Sequence, residues 1–341
     1  MSTEKEVTIY DIAQQLGLSA ATVSRALKDH PAINKNTKKK IQQAAKELGY
    51  RHNNFASNLR NKKTFTLGVI VPRLSSYFMS TILAGMELAA SKAGYNLIIA
   101  QSLESEEKEA QNIQTMFHKR VDGLLISLAA TTRSLSHLLP FTSKKIPIVF
   151  FDRTENIPDT TSVTIDNFFS AYNITKYLTS KGFKRILHVS GNKLRNVYSE
   201  RIRGYKQALA DAGIKFEEEL LFIDDMSEDT GIRAAEKILK MKKKPDAVFS
   251  SNDTCAAYCM MHLKTAGVKI PEEIAFAGFN NDPISKVIEP NLTTINYPGF
   301  IMGETAVNVL IGYLNEEHIT KVTNSVVLRS ELVVRQSTEK K

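Results

Sequence analysis

Ser19, Thr22, Ser24 and Arg25 fall within seven residues, in the run LSAATVSRAL. Hydroxyls and a guanidinium at that spacing suit an anionic partner. The hydroxyls can donate to phosphate oxygens, and the planar fork can take a phosphate or the acceptor edge of a guanine. A second set of polar side chains follows at intervals, each set just past an apolar run: Ser75, Ser76, Tyr77 and Phe78; Asp152 and Arg153; Asn196 and Arg201; Asn252 and Asp253; Asn280 and Asn281. Amides, carboxylates and arginines of this kind grip a small polar molecule through paired donors and acceptors, and the rings can stack on a sugar face or a base. Catalytic signatures are absent: no G-x-S-x-G, Gly-rich phosphate loop, H-E-x-x-H or dinucleotide fingerprint. The seven histidines are scattered, and His188, inside an apolar run, reads as a core residue. The only cysteines, Cys255 and Cys259, share one helical stretch and read as packing thiols. The chain is therefore expected to be no enzyme and to need no metal or cofactor.

The first set must be carried on helices. Thr8 and Asp11 form a capping box that opens a helix with Ile9, Ile12, Ala13 and Leu16 on one face. Gly17 closes it, Leu18 plugs the turn, and Ser19 caps a second helix, Ala20 to Leu27. Asn34 caps a third, Lys35 to Leu48, with Ile41, Ala44, Ala45 and Leu48 on its apolar face. This is a helix-turn-helix whose second helix can enter a major groove. Charge supports that reading. Residues 1–63 hold 12 Lys and Arg against 5 Asp and Glu, while the other 278 residues hold 33 against 31. A cationic patch on under a fifth of the chain is the footprint of phosphate binding.

The motifs VTIYDIA, GLS, TVSRAL and LGY, running on into Asn53–Leu59, resemble the lactose/galactose repressor (LacI) family, and the resemblance continues along nearly the whole chain. It implies that Thr8, Tyr10, Asn34 and Thr37 touch the DNA backbone. It also implies that Ala20 and Ala21 occupy the positions of base choice, although both are too small for more than a thymine-methyl contact. The linker 50–63 is too short and polar to hold a helix alone. By resemblance it orders on DNA, with Asn53 in the matched segment, Ala56 and Leu59 facing the partner copy and the minor groove, and Leu59 as a wedge.

From residue 64 the pattern changes. Nine short apolar runs, from TLGVIVP to IAFAGFN, alternate with helical stretches, among them 78–93, 106–119 and 132–142. Continuous apolar strands between helices mean parallel sheets covered on both faces. The expected fold class is an N-terminal all-α helix-turn-helix domain followed by an α/β sensor of two doubly wound parallel-sheet subdomains, similar to a type I periplasmic binding protein. The boundaries are a head at 1–49, a hinge at 50–63 and a sensor at 64–341. Within the sensor, subdomain N is expected to span about 64–165 and 294–323, and subdomain C about 166–293 and 324–341. Ligands in such folds bind past the carboxyl ends of strands. The resemblance makes Arg201 the leading effector residue. It often has an acid where Asn280 stands, and an amide there loses a charge and gains a donor.

The expected function is regulation of transcription: binding of double-stranded, near-palindromic operator DNA as a homodimer or tetramer, controlled by a small effector, a sugar or derivative first and a purine second. A transport solute-binding protein is the competing class, opposed by the basic head and by an N-terminus without an apolar export signal. No apolar run approaches the ~20 residues that cross a bilayer, so a cytoplasmic protein without membrane partners is expected.

Overall fold

Asp11 opens the first helix as its spacing predicts, because its carboxylate takes both the Thr8 backbone N–H at 2.7 Å and the Thr8 hydroxyl at 2.6 Å. The computed structural model describes residues 7–50, 63–315 and 325–339. The chain divides into two units, 1–64 and 65–341. In the first unit α1 spans Ile9–Leu16, α2 Ala20–Leu27 and α3 Lys35–Glu47. Gly17 ends α1 with φ +63°, a left-handed geometry that costs glycine little. Ile12, Val23, Ala26 and Ile41 are fully buried where the three helices meet, and Leu16, Leu18 and Leu48 pack against them. The hinge residues Asn53, Ala56 and Leu59 lie outside the described residues.

The second unit alternates strand and helix. Its first half runs β1 (Thr66–Val71), α4 (Tyr77–Lys92), β2 (Asn96–Gln101), α5 (Glu106–His118), β3 (Gly123–Ile126), α6 (Leu139–Ser143), β4 (Ile148–Phe151) and β5 (Thr161–Ile165). Its second half runs α7 (Asn167–Ser180), β6 (Ile186–Ser190), α8 (Asn196–Asp211), β7 (Leu221–Ile223), α9 (Glu228–Lys240), β8 (Ala247–Ser250), α10 (Asp253–Thr265) and β9 (Ala275–Ala277). After α11 (Ile284–Val287) come β10 (Thr294–Asn296), α12 (Gly299–Leu314), β11 (Ser325–Leu328) and β12 (Glu331–Val333).

Two parallel sheets result. One has the order β11-β5-β4-β3-β1-β2 and the other β7-β6-β8-β9. Val69 pairs with Ile99 on one side and Leu125 on the other, so the β-branched runs stack in register. The runs are apolar because helices cover both faces; every residue of β5 and β6 is buried. β2 departs from this. It is an edge strand, and Ile99 is left 41% exposed.

The chain crosses between sheets after β5, where Asp166 caps α7 by accepting the Phe169 N–H at 2.8 Å. It crosses back at β10, which forms an antiparallel pair with β12. Two expectations need correcting. β11 joins the first sheet, pairing Val326 with Val163, so the last crossing follows Leu328 and the closing segment of the second subdomain does not begin at 324. Nor is 132–142 a continuous helix. Only Ser136–Leu138 turns as a 3₁₀ segment before α6. Glu109 and Glu106 draw the preceding loop back onto α5: Glu109 takes the Ala129 N–H and the Thr132 hydroxyl, and Glu106 the N–H groups of Arg133 and Ser134. Among the described residues no helix is long and apolar enough to cross a membrane.

Candidate functional site

In the head, α2 turns Ala21 and Arg25 to solvent, while Ala20 packs partly against the core, so only one of the two alanines is free to meet a groove. Ser19 accepts the Thr22 N–H at 3.1 Å, and their hydroxyls lie 2.9 Å apart. Ser24 and Thr37 are half-buried, and Tyr10 is 70% exposed. Thr8 already gives its hydroxyl proton to Asp11, so it meets a phosphate only as a positioned cap. Asn34 caps α3 through Oδ1, which leaves its amide donors outward. Lys38 is committed to Asp29 at 2.6 Å. Arg25, Lys35, Lys39 and Lys40 are exposed cations. This basic surface with two well-capped helices can hold a phosphate backbone.

A cavity of about 360 Å³ opens where the carboxyl ends of both sheets face each other. Ser75, Ser76, Tyr77, Phe78, Asp152, Arg153, Arg201, Asn252 and Asn280 all border it. The floor is ionic. Asp152 is buried, in a left-handed backbone conformation at φ +58°, and accepts the Tyr297 hydroxyl at 2.8 Å. Burial holds its pKa above the usual carboxylate range, although Arg153 and Arg201 pull it down. Arg201 reaches the floor from α8. Its Nε donates to Asn167 at 2.9 Å, one Nη donates to the Ser251 carbonyl at 2.8 Å, and the guanidinium lies 3.6 Å from the Phe279 ring centroid. Asn167 and the rings fix the plane of the fork, so the donors not spent on these bonds are held in position. Burial lowers the Arg201 pKa, with Tyr297 and Tyr198 opposing.

Arg153 also lies on the floor. It is buried, bonds Glu104 at 2.6 Å and takes a 3.2 Å contact from its Nη2 to the Tyr198 hydroxyl. Burial works against the Glu104 charge, yet Arg153 holds that carboxyl below its usual range. Tyr77 stands 53% exposed at the rim, free to stack, whereas Phe78 is spent on Tyr297 at 4.3 Å between centroids. Ser76 and Asn252 border the cavity while capping α4 and α10.

Three expected ligand residues are placed elsewhere. Asn196 spends its amide across the subdomain joint, accepting the Thr154 N–H at 3.0 Å and donating to the Asp152 carbonyl at 3.3 Å. Asp253 is sealed behind the cavity, where it takes the Thr294 hydroxyl at 2.7 Å and the Asp282 N–H at 2.8 Å. Asn281 likewise bonds Asn296 and Arg335. The sequence reading missed Glu104, Tyr198, Asp225, Ser227, Glu228 and Asp282, which also border the cavity. Most were within reach of the rule already in use: Glu104 follows β2, Asp225 follows β7, and Asp282 stands two past Asn280. Tyr198 lies one helical turn before Arg201.

The same two-part design is found in comparisons with known proteins. Residues 8–53 match the family model described as bacterial regulatory proteins, lacI family. Residues 64–330 match that of periplasmic binding proteins and the sugar binding domain of the LacI family. The chain belongs to the LacI family. It is 32% identical over 334 residues to catabolite control protein A of Priestia megaterium, covering 98% of this chain and 99% of that relative. It is 31% identical over 316 residues to the transcriptional repressor PurR of Vibrio cholerae, covering 92% and 94%. Among solved structures, a complex of the transcriptional regulator CelR with cellobiose matches with a TM-score of 0.74 at 26% identity, covering 97% of this chain and all of that one. This LacI-family chain is thus a DNA-binding transcriptional regulator.

Proposed function

We propose that the protein is an effector-controlled repressor that binds a near-palindromic operator as a dimer inside the cell and loses or gains that grip when a sugar or sugar derivative enters the cleft. The observation that carries the reading is the floor of the cavity. Arg201 and Asp152 present a fixed donor and a fixed acceptor, from opposite subdomains, at the carboxyl ends of both sheets. A ligand bridging them favours one relative position of the subdomains over another, which is the differential affinity that a population shift requires. The head supplies the phosphate contacts through Thr8, Tyr10, Ser19, Thr22, Ser24, Arg25, Asn34 and Thr37. The segment 50–63 carries the signal, with Leu59 as its wedge. The CelR relative, solved with cellobiose, supports a sugar ahead of a purine.

Fluorescence anisotropy with operator-library duplexes, run with and without mono- and disaccharides and purines, tests the proposal. One sugar should shift DNA affinity about tenfold or more. Arg201→Ala should abolish that shift and keep basal DNA binding. Retention of the shift in the variant would refute the assignment of the cleft.

A further inference from the structure

The two walls of the cavity differ in charge balance. Five acidic residues border it against three arginines. On the first sheet's side Glu104 has bases beside it, Arg153 at 2.6 Å and Arg73 at 3.9 Å, and Asp152 accepts the Tyr297 hydroxyl and feels the charges of Arg153 and Arg201. On the other side Asp225 has Arg233 at 3.6 Å, and Glu228 sits against the Tyr258 hydroxyl. Asp282 has no cation beside it among the described residues. It is only 6% exposed, and its one side-chain hydrogen bond is a long 3.4 Å contact from the Asn280 amide.

The fold does not ask for this carboxylate. The structural work at position 282 is done by main chain: the N–H donates to Asp253 at 2.8 Å, and the carbonyl takes the Ser285 N–H at 2.9 Å and hydroxyl at 2.6 Å. The carboxylate is also costly where it stands, because the fully buried Asp253 is close enough for the two acids to repel. A buried acceptor that is poorly bonded, dispensable to the fold and open to a ligand cavity is best accounted for by a donor that arrives with the ligand.

We propose that Asp282 is a specificity-determining residue of the cleft: it accepts a hydrogen bond from a hydroxyl or ammonium group of the effector and turns anions away, so that the effector is a neutral or aminated sugar and not a uronate or sugar phosphate. This rests on reading the cavity as the effector site. The arginines do not reverse it, since Arg153 is paired with Glu104 and Arg201 is held by Asn167 and the Ser251 carbonyl within reach of the Asp152 charge.

Isothermal titration of the full chain with matched sets tests it: glucose, glucosamine, glucuronate and glucose 6-phosphate, with the corresponding galactose and cellobiose series. The wild type should bind a neutral or aminated member about tenfold more tightly than its uronate or phosphate, a gap of about 1.4 kcal/mol. Asp282→Asn, with Asp282→Ser as a second variant should the first unfold, should close most of that gap, by strengthening the anionic members and weakening the aminated one. Arg201→Ala should weaken every member. Tightest binding by an anionic member, or no binding by any neutral or aminated one, would overturn the inference. So would unchanged affinities in both Asp282 variants while Arg201→Ala abolishes binding, and that outcome would spare the cleft. Affinities that survive Arg201→Ala would sink the cleft itself, and the inference with it.

Discussion

His188 shows how a single side chain ties burial to pH. It lies in β6 with no exposed surface, its Nδ1 3.0 Å from the Phe249 carbonyl and its ring stacked on Phe249 at 4.4 Å. Nε2 is buried without a hydrogen-bond partner among the described residues. Burial pushes the pKa down to about 3, and the Arg201 charge adds to the shift. The folded ring is therefore neutral, while the unfolded one takes a proton near 6.5. Between those values the unfolded chain binds more protons, so this residue's contribution to stability is full above 6.5 and is lost as pH falls toward 3. His188→Phe keeps the stacking and removes the titration. In urea titrations the stability of wild type relative to the variant should fall by on the order of 1–3 kcal/mol between pH 6.5 and 4.5. A constant difference across that window would show that the ring carries no linkage. Residue types alone made His188 a core histidine, and that much was legible. They made Asp253 and Asn196 ligands, yet neither borders the cavity. A strand-end position says that a side chain lies near the cleft, but not whether a neighbour such as Thr294 or Thr154 takes its polar atoms first.

Elements were more legible than side chains, because strand and helix periods are local while partners are not. The β-branched runs became strands, and the caps at Thr8, Ser19 and Asn34 fell where the sequence put them. The loop at 132–142 did not follow its pattern, since Glu106 and Glu109, some 25 residues earlier, claim its backbone and hydroxyl donors. Helix crossings were hidden for the same reason. Gly85 of α4 and Gly303 of α12 read as ordinary residues in apolar helices, yet they are where the two helices touch. A Cβ at Gly85 would lie 2.0 Å from the Phe300 carbonyl oxygen, and one at Gly303 would lie 2.0 Å from that of Ile82. Backbone atoms cannot rotate aside, so the helices must part, and contacts of the core between Ile82, Met86, Met302 and Ala306 open with them. Gly85→Ala should cost about 3 kcal/mol or more, lowering the thermal midpoint by roughly 6–12 °C. Calorimetry of the full chain reads this directly, and a midpoint within a degree or two of wild type would mean that the crossing is slack.

At the scale of the whole molecule, the question is how an event in the cleft reaches the head. Three stretches of chain join the sheets, after β5, at β10 and between β11 and β12, so relative motion of the subdomains bends a few backbone segments. Away from these crossings, side chains of the second subdomain also hold the first: Asn192 donates to the Ala130 carbonyl at 3.1 Å, Arg195 to that of Thr132 at 2.6 Å, and Asn196 bonds Thr154. These are few, polar and exchangeable for water, which suits a joint with more than one setting. The sequence offered no view of this joint, because each bond pairs residues about 40 to 60 positions apart with no periodic signature. If effector and operator act through these settings, their effects are bound by linkage: whatever factor the effector imposes on operator affinity, the operator must impose on effector affinity. The expected outcome holds whether the effector releases or recruits DNA. Effector titrations of the full chain, free and saturated with operator, should differ by the same factor as operator titrations with and without effector, about 5- to 150-fold for a coupling of 1–3 kcal/mol. Asn192→Ala, which removes the bond to the Ala130 carbonyl at a residue that does not border the cavity, should change that factor in both titrations equally. Removal of residues 1–63 should leave effector affinity at the value of the DNA-free chain. Operator affinity that shifts with effector while effector affinity ignores operator would place the effector's action outside this joint.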